Sequence, residues 1–298
     1  MTSTQRAHLS LLATTLIFGL HYTIAKSLMP EILSPMQLIF IRSLGGVIMF
    51  WLFQRLFVQE KVDRKDLVML AICGILGFAL NQTLFYAGLN LTTPVDASII
   101  HVLNPILVLV FAGIFLKERI TWQKTIGIVL GAGGAVLLIL YGRVVSFNGQ
   151  TMLGNILVFS NIVFYALYLI MIKPLVGKYQ PSTILKWVSF FGFLFIFPFS
   201  IRPALEINFS SISLMAWAGI AYIIILNTFI AYLLINFALQ RVSPVVVSYY
   251  SYIQPVIATI SFMVLGQRGL TFPKVAAALI IFTGVYLVNR SGVKETLK

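Results

Sequence analysis

Apolar runs of about twenty residues, the length that spans a bilayer as a helix, recur along the whole chain between short polar loops. Only 10% of the 298 residues are charged and 59% are hydrophobic. A soluble domain of this size needs far more charge on its surface, so a soluble fold is excluded. A membrane β-barrel would show alternating segments of about ten residues instead. We therefore predict an all-α membrane protein.

Prolines and polar turns divide the apolar sequence into ten segments, each of which we predict to cross the membrane. The loops between them are short, and no soluble domain is inserted. The approximate bounds are 7–28, 36–58, 66–88, 93–115, 123–141, 152–172, 182–201, 213–237, 244–265 and 272–290.

Lysine and arginine are distributed unevenly between the loops on the two sides of the predicted membrane. With the N-terminus inside, 15 of the 21 basic residues fall in cytoplasmic segments and 4 in outer loops. This bias follows the positive-inside rule, so we expect both termini in the cytoplasm and a bacterial inner (plasma) membrane location. The net charge of +13 then reflects topology. We expect the lipid bilayer as a partner, and no nucleic acid.

An internal repeat relates the two halves of the chain. Residues 94–138 align with 244–288 at an offset of 150 without a gap, and the earlier spans align at an offset near 147. Each half has five spans, and an odd number of crossings makes the second half enter the membrane from the opposite side. Homologous halves must therefore be inverted repeats, as in many secondary transporters. We predict ten transmembrane helices as two inverted five-helix repeats, 1–145 and 146–298. The sharpest match sets Ser98, His101, Asn104 and Pro105 against Ser248, Ser251, Gln254 and Pro255.

Several short motifs occur in a recognisable order. They are Phe18-Gly19, Lys26, Ser34-Pro35, Arg42, Tyr86-Ala87-Gly88-Leu89, Asn104-Pro105 and Leu116-Lys117-Glu118-Arg119-Ile120-Thr121, with Lys173, Pro181 and Gln254-Pro255 in the second half. In this respect the whole chain resembles the EamA-type members of the drug/metabolite transporter superfamily. The resemblance implies a ten-helix fold of two inverted repeats that moves small solutes, often outward. One departure is that Gln267 or Arg268 stands where the family often has a second glutamate.

Polar side chains inside the predicted spans are costly unless they face a partner or a wet cavity, so each is a candidate for function. In spans four and nine they recur at i, i+3 and i+6, along one side of a helix. Amide and aromatic side chains in spans one, three, six and eight complete a candidate pocket. The predicted substrate-binding residues are His21, Gln82, Tyr86, His101, Asn104, Tyr168, Tyr232, Asn236, Ser251 and Gln254. For each, interhelical hydrogen bonding that only joins the bundle is the alternative.

Three charged residues lie in the outer thirds of predicted spans: Lys26, Arg42 and Asp96. We expect Asp96 and Arg42 to serve in charge recognition or proton coupling. Asp96 would act with His21 or His101, because histidine titrates near neutral pH. Arg42 or Lys26 would attract a substrate carboxylate. The alternatives are that Lys26 extends to the lipid headgroups and that Asp96 caps the fourth helix or pairs with Arg42.

The sequence offers no pattern for enzymatic chemistry. The single cysteine, Cys73, lies in an apolar run, and no Cys/His spacing suits a metal, so neither metal nor cofactor is expected. No ATP-binding motif is present, which leaves a gradient as the energy source. We predict a secondary active transporter, monomeric or homodimeric, that exports a small-molecule metabolite such as an amino acid by alternating access, with proton coupling as one option. An exchanger of a small anionic solute and a non-transporting scaffold or sensor are the alternatives.

Overall fold

Helices dominate the computed structural model, which describes residues 2–93, 97, 100–140, 149–254, 256–257 and 272–295. No strand occurs in these ranges, as the all-α prediction requires. The main helices are α1 (Ser3–Leu28), α2 (Pro35–Phe57), α3 (Arg64–Leu91), α4 (Asn104–Phe115), α5 (Trp122–Leu140), α6 (Gly149–Val176), α7 (Pro181–Leu205), α8 (Leu214–Leu239), α9 (Pro244–Tyr249, continued by a 3₁₀ turn over Tyr250–Ile253) and α10 (Phe272–Glu295).

Polar side chains placed just before the apolar runs begin several of these helices. Ser34 and Gln37 form a reciprocal capping box at the start of α2, where proline at the first helical position is preset for the turn. Ser213 accepts from the Ala216 N–H at 3.2 Å and caps α8. These local signals explain why the helix starts agree closely with the predicted spans.

Six of the helices are long and apolar enough to cross a bilayer: α1, α2, α3, α6, α7 and α8. Asn104–Phe115 and Val275–Val288 are shorter apolar helices. The described helices overlap all ten predicted segments, although the count of ten membrane crossings stays a prediction.

In the main helix pairs, a helix of the first half packs against a helix of the second half, and the pairing is unchanged when the two halves are interchanged. Helix α2 packs on α7, α5 on α10 and α4 on α9, each against its repeat equivalent, whereas α3 packs on α6 and α1 on α8. Small residues permit the α5–α10 approach, since a Cβ atom at Gly127 would lie 2.9 Å from the Gly284 carbonyl oxygen. The equivalent contact, from Gly134 to the Ala277 carbonyl oxygen, has the same 2.9 Å separation.

Two lysines end helices in equivalent ways. The Lys26 ammonium donates to the carbonyl oxygens of Leu89 at 2.9 Å and Thr92 at 3.4 Å, so it caps the end of α3. Lys173 donates to the carbonyls of Leu239 and Val242, which end α8. Residues 239 and 242 lie 150 positions after 89 and 92. The two lysines therefore bind carbonyl groups at equivalent positions of the two repeats, where the helix end leaves them without a backbone donor.

A π-helical segment interrupts each of the two equivalent helices α3 and α8. It spans Ile75–Leu80 in α3 and Tyr222–Ile230 in α8. At an offset of 150, the first segment coincides with the end of the second. Such segments insert a residue into the turn, rotate the side chains that follow and are frequent at functional sites.

We expect Lys173→Met to lower the free energy of unfolding by about 1–3 kcal/mol, because the Leu239 and Val242 carbonyls would lose a charged donor. Thermal unfolding of the purified protein in detergent measures this change, with the exposed Lys65→Met as the control. Equal stability of the two variants would contradict the capping role.

Candidate functional site: a central polar cavity

A cavity of about 110 Å³ lies between α1, α2, α3, α4, α6, α8 and α9. A water molecule needs about 10–15 Å³ of such space, so the cavity has room for several waters. Both halves of the chain contribute to its wall. It therefore has the position, between helices of a bundle, that is expected of a small-molecule site.

Arg42 of α2 is the cation of this cavity, and it is only 1% exposed. Its Nε donates to the Thr228 hydroxyl at 2.7 Å, and its Nη1 donates to the Tyr86 hydroxyl at 3.1 Å and to Gln82 Oε1. All three partners are neutral, and none of the ion pairs between described residues includes Arg42. The Nη2 group has no partner in the same part of the chain. The guanidinium thus keeps two N–H donors available.

The hydrogen bonds of Arg42 extend along the cavity wall. The Tyr86 hydroxyl accepts from Arg42 and also shares a hydrogen bond of 2.8 Å with Nε2 of His21. Gln82 accepts through Oε1, so its Nε2 donates to the Tyr232 hydroxyl. The bonds of Arg42 thus extend through Tyr86 and Gln82 to His21 and Tyr232.

His101 of span four lines another part of the cavity. Its Nδ1 lies 3.0 Å from the Ala97 carbonyl oxygen, which can only accept, so Nδ1 carries a proton and Nε2 can accept one. The ring sits edge-on to Tyr22 and Phe85, with centroid separations of 5.6 and 5.8 Å. The histidine is held by packing while one nitrogen stays available.

The structure separates the predicted site residues into three groups. Those that line the cavity are His21, Arg42, Gln82, His101, Asn104, Tyr232, Ser251 and Gln254. Those outside its lining, directly behind it, are Tyr86, Tyr168 and Asn236. The Tyr86 hydroxyl hydrogen-bonds His21 and Arg42. Asn236 donates to Tyr168 and to the Tyr232 carbonyl oxygen. Asp96 lies outside the described residues, as does Ser98.

The bonds of this second group are repeated in the two halves. His21 bonds Tyr86, and the residues equivalent to these two, Tyr168 and Asn236, bond each other at 3.3 Å. Gln82 and Tyr232 are themselves equivalent and bond directly. Only the first-half pair meets a cation, since the residues that align with Arg42 at offsets of 146 and 147, Val188 and Ser189, are both neutral.

Sequence reasoning missed two amides, Asn81 and Asn227, that also line the cavity. Asn81 follows the π-helical segment of α3, and Asn227 lies inside that of α8. Asn161, noted in span six, completes the set: its Nδ2 donates to the Asn81 carbonyl oxygen at 2.7 Å. An amide within an apolar run was the available signal for Asn81 and Asn227, and the sequence prediction did not use it.

Away from the cavity, an ion cluster joins the start of α3 to the α6–α7 loop. Lys178 lies 2.5 Å from Asp63 and 2.6 Å from Asp66, and the Tyr179 hydroxyl donates to Asp66 at 2.6 Å. Hydrogen bonds to Asp63 and Asp66 raise the pKa of Lys178 above its ordinary value, so its ammonium stays charged at neutral pH. We call Asp63, Asp66, Lys178 and Tyr179 the loop ion cluster.

Comparison with solved structures shows a shared fold. One crystal structure superposes with a TM-score of 0.78 over 97% of this chain and 98% of the other, at 16% sequence identity.

Curated relatives are named as transporters. The chain is 25% identical to the uncharacterized transporter YyaM of Bacillus subtilis, over 80% of each protein, and 28% identical to an uncharacterized transporter of Archaeoglobus fulgidus, over 94% of this chain and 97% of the relative. It is 26% identical to a protein of Streptantibioticus cattleyicolor named "Probable terminal-alkyne amino-acid exporter", over 76% of this chain and 74% of that protein.

The model of the EamA-like transporter family matches residues 5–140 and again residues 152–290. The resemblance seen in the sequence motifs is thereby confirmed, and the chain is a multi-pass membrane protein that belongs to the EamA-like transporter family.

Proposed function

We propose that this protein is a secondary active transporter that exports a small metabolite, such as an amino acid, by alternating access across the bacterial inner membrane. The observation that carries the proposal is Arg42: a buried cation that lines the cavity without an acidic partner in the described chain. Burying an unpaired charge costs several kcal/mol, so structural glue alone gives little reason to retain it. A carboxylate that binds Nη2 supplies the missing partner.

Alternating access follows from two inverted five-helix repeats, 1–145 and 146–298, with both termini in the cytoplasm. The equivalent lysine caps, π-helical segments and helix pairings support this arrangement. In such a scaffold a pseudo-two-fold axis in the membrane plane relates the two halves. The outward-open and inward-open states are then related by the same rotation about one central site.

The loop ion cluster breaks this equivalence. It lies on the face predicted to be cytoplasmic, and its repeat-equivalent positions hold Glu31, Ser213 and Ala216, which cannot form an ion pair with one another. The cluster holds the cytoplasmic loops of the two halves together, and no matching ion pair acts at the outer face between these positions. It therefore favours the state that is closed toward the cytoplasm.

Proton coupling is assigned to His21 and His101, with Asp96 as the acid. His21 shares a hydrogen bond with Tyr86, which also bonds Arg42, so a proton on His21 adds a second positive charge close to the guanidinium. That charge strengthens binding of an anionic group, and its loss assists release.

Exchange of a small anionic solute is the second candidate, favoured by the same Arg42 charge, which has no acidic partner among the described residues. An exchanger never returns with an empty site, so the cation always has an anion as its partner.

We expect Arg42→Met to reduce export by about tenfold or more, because the carboxylate loses a charged hydrogen bond. Untargeted profiling of extracellular metabolites from expressing cells measures the loss. Arg55→Met, an exposed arginine on the same helix, is the matched control. Unchanged export by Arg42→Met at equal membrane expression would contradict the proposal.

The pH dependence of export is expected to flatten in the His21→Gln, His101→Gln double variant, since neither glutamine titrates. Initial export rates at several external pH values give the comparison. If the double variant retains the wild-type pH profile, protons are not carried by these histidines.

Neutralising the loop ion cluster should open the cavity toward the cytoplasm. In a Cys73→Ala, Thr14→Cys background, we expect Lys178→Met to increase labelling by an impermeant thiol reagent about two- to fivefold in inside-out vesicles. Asp63→Asn with Asp66→Asn should match it, and the combined variant should add nothing further. Lys65→Met is the control, and labelling independent of Lys178 would refute the role of the cluster.

A further inference from the structure

Lys186 of α7 lies among aromatic side chains where this helix packs against α2. Its ammonium is 4.2 Å from the ring centroid of Trp51 and 5.4 Å from that of Trp187. It donates to Oε1 of Gln54 at 3.0 Å, and Gln54 carries no charge. We call Lys186, Trp51, Trp187 and Gln54 the Lys186 cluster.

The positive charge of this cluster has no acidic partner in the described part of the chain. None of the ion pairs found there includes Lys186. An ammonium has three N–H donors, and the Gln54 oxygen is the one hydrogen-bond acceptor that the described residues offer it. The two indole rings stabilise the cation through their π-electrons without neutralising it. The ammonium can therefore still donate to an anion.

The depth of the cluster matches that of the lipid headgroups. Lys186 comes five residues after the start of α7, and Gln54 comes three residues before the end of α2. These separations are roughly 8 and 5 Å along the helix axes. Both helix ends belong to the face predicted to be cytoplasmic. Because Trp51 is 38% exposed and Lys186 is partly exposed, the cluster is open to the bilayer.

Apolar side chains continue from the cluster toward the membrane centre. On α7, Phe190 and Phe197 follow Lys186 at i+4 and i+11, on the same side of the helix. The Phe190 ring packs on Trp51 with a centroid separation of 5.7 Å, and Phe197 is 40% exposed. On α2, Ile48 lies one turn from Trp51 and is 56% exposed. A cation thus adjoins a surface suited to acyl chains.

The outer end of the same helix pair has the aromatic rings without the charge. At offsets of 146 and 147, Lys186 aligns with Phe40 and Ile39, which are both apolar. Phe40 packs against Phe197 with a centroid separation of 6.4 Å. Since the cytoplasmic leaflet carries the negative surface potential of anionic lipids, the charge occurs at the end of the helix pair where such lipids are found.

We infer that the Lys186 cluster binds the phosphate headgroup of an anionic phospholipid of the cytoplasmic leaflet. The free N–H groups of Lys186 donate to the phosphate oxygens, and the acyl chains lie along Ile48, Phe190 and Phe197. The bound lipid contacts α2 and α7, one helix from each half of the chain. No member of the cluster lines the central cavity, so this site is distinct from the proposed solute site.

Native mass spectrometry of the purified full-length protein tests this inference. Phosphatidylglycerol and phosphatidylcholine with identical acyl chains are added in equal amounts, and the bound lipids are counted. Both carry a phosphate, but the choline group cancels its charge. We expect Lys186→Met, which keeps the aliphatic stem and removes the charge, to lower the ratio of bound phosphatidylglycerol to phosphatidylcholine about fivefold. Lys186→Arg should retain the wild-type ratio, and an unchanged ratio in Lys186→Met would overturn the site.

Two controls separate a lipid site from weaker explanations. Lys65→Met removes an exposed lysine from the same predicted face and should leave the ratio unchanged. Equal losses in Lys65→Met and Lys186→Met would indicate diffuse surface charge and refute the site. Glycerol phosphate carries the headgroup charge without acyl chains, so an equimolar amount should not displace the bound lipid. Displacement would identify a free phosphate as the ligand and overturn the assignment to lipid.

Tryptophan fluorescence gives a second measurement that needs no change at Lys186, should Lys186→Met fail to fold. Phosphatidylglycerol with brominated acyl chains should quench the wild-type fluorescence more strongly than brominated phosphatidylcholine at the same concentration. In the Trp51→Phe, Trp187→Phe double variant, which retains Trp122 and Trp217, that difference should disappear. Equal quenching of the wild type by the two lipids would contradict the inference.

Discussion

The structure of this transporter depends on how it accommodates one buried positive charge. Arg42 is held by Thr228, Tyr86 and Gln82, from helices of both halves, and all three are neutral. Three neutral hydrogen bonds offset part of the desolvation cost of a guanidinium, and no acidic residue in the described part of the chain cancels its charge. This arrangement fixes the side chain beside Tyr86, which bonds His21, and leaves Nη2 without a partner among the described residues. Function and packing are therefore coupled through the same residue.

A nearly symmetric scaffold carries an asymmetric site. The His21–Tyr86 bond in the first half has its counterpart in Tyr168–Asn236, and Gln82 bonds its own equivalent, Tyr232. The first half adds the cation, where the second has the neutral residues Val188 and Ser189. The two repeats thus share the hydrogen bonds that join helices, while the buried cation belongs to one of them. The loop ion cluster is similarly confined to one face.

Most of the helix positions and much of the site could be predicted from the sequence, since apolar length, capping residues and the cost of polar groups in lipid are local properties. Thus Gln82, His101, Asn104 and Gln254 line the cavity as expected. The depth of a side chain in the helix bundle is harder to predict, because helical period shows only which face of a helix it lies on. Tyr168 and Asn236 were predicted to line the cavity, but they lie behind its lining and bond each other. Asn81 directly follows one π-helical segment and Asn227 lies inside the other, and nothing in the apolar pattern of the sequence marks where such a segment occurs. Asp96 lies outside the described residues, so its part in the site stays a prediction.

The central claim is that Arg42 binds the carboxylate of the transported solute, and the most direct measurement is an experimental structure of the protein with an exported solute bound. We predict that the solute lies in the central cavity, with a carboxylate oxygen within hydrogen-bond distance of Arg42 Nη2. The hydrogen bonds from Arg42 to Tyr86 and Gln82 should be retained. A solute bound elsewhere, or one whose carboxylate faces away from Arg42, would contradict it.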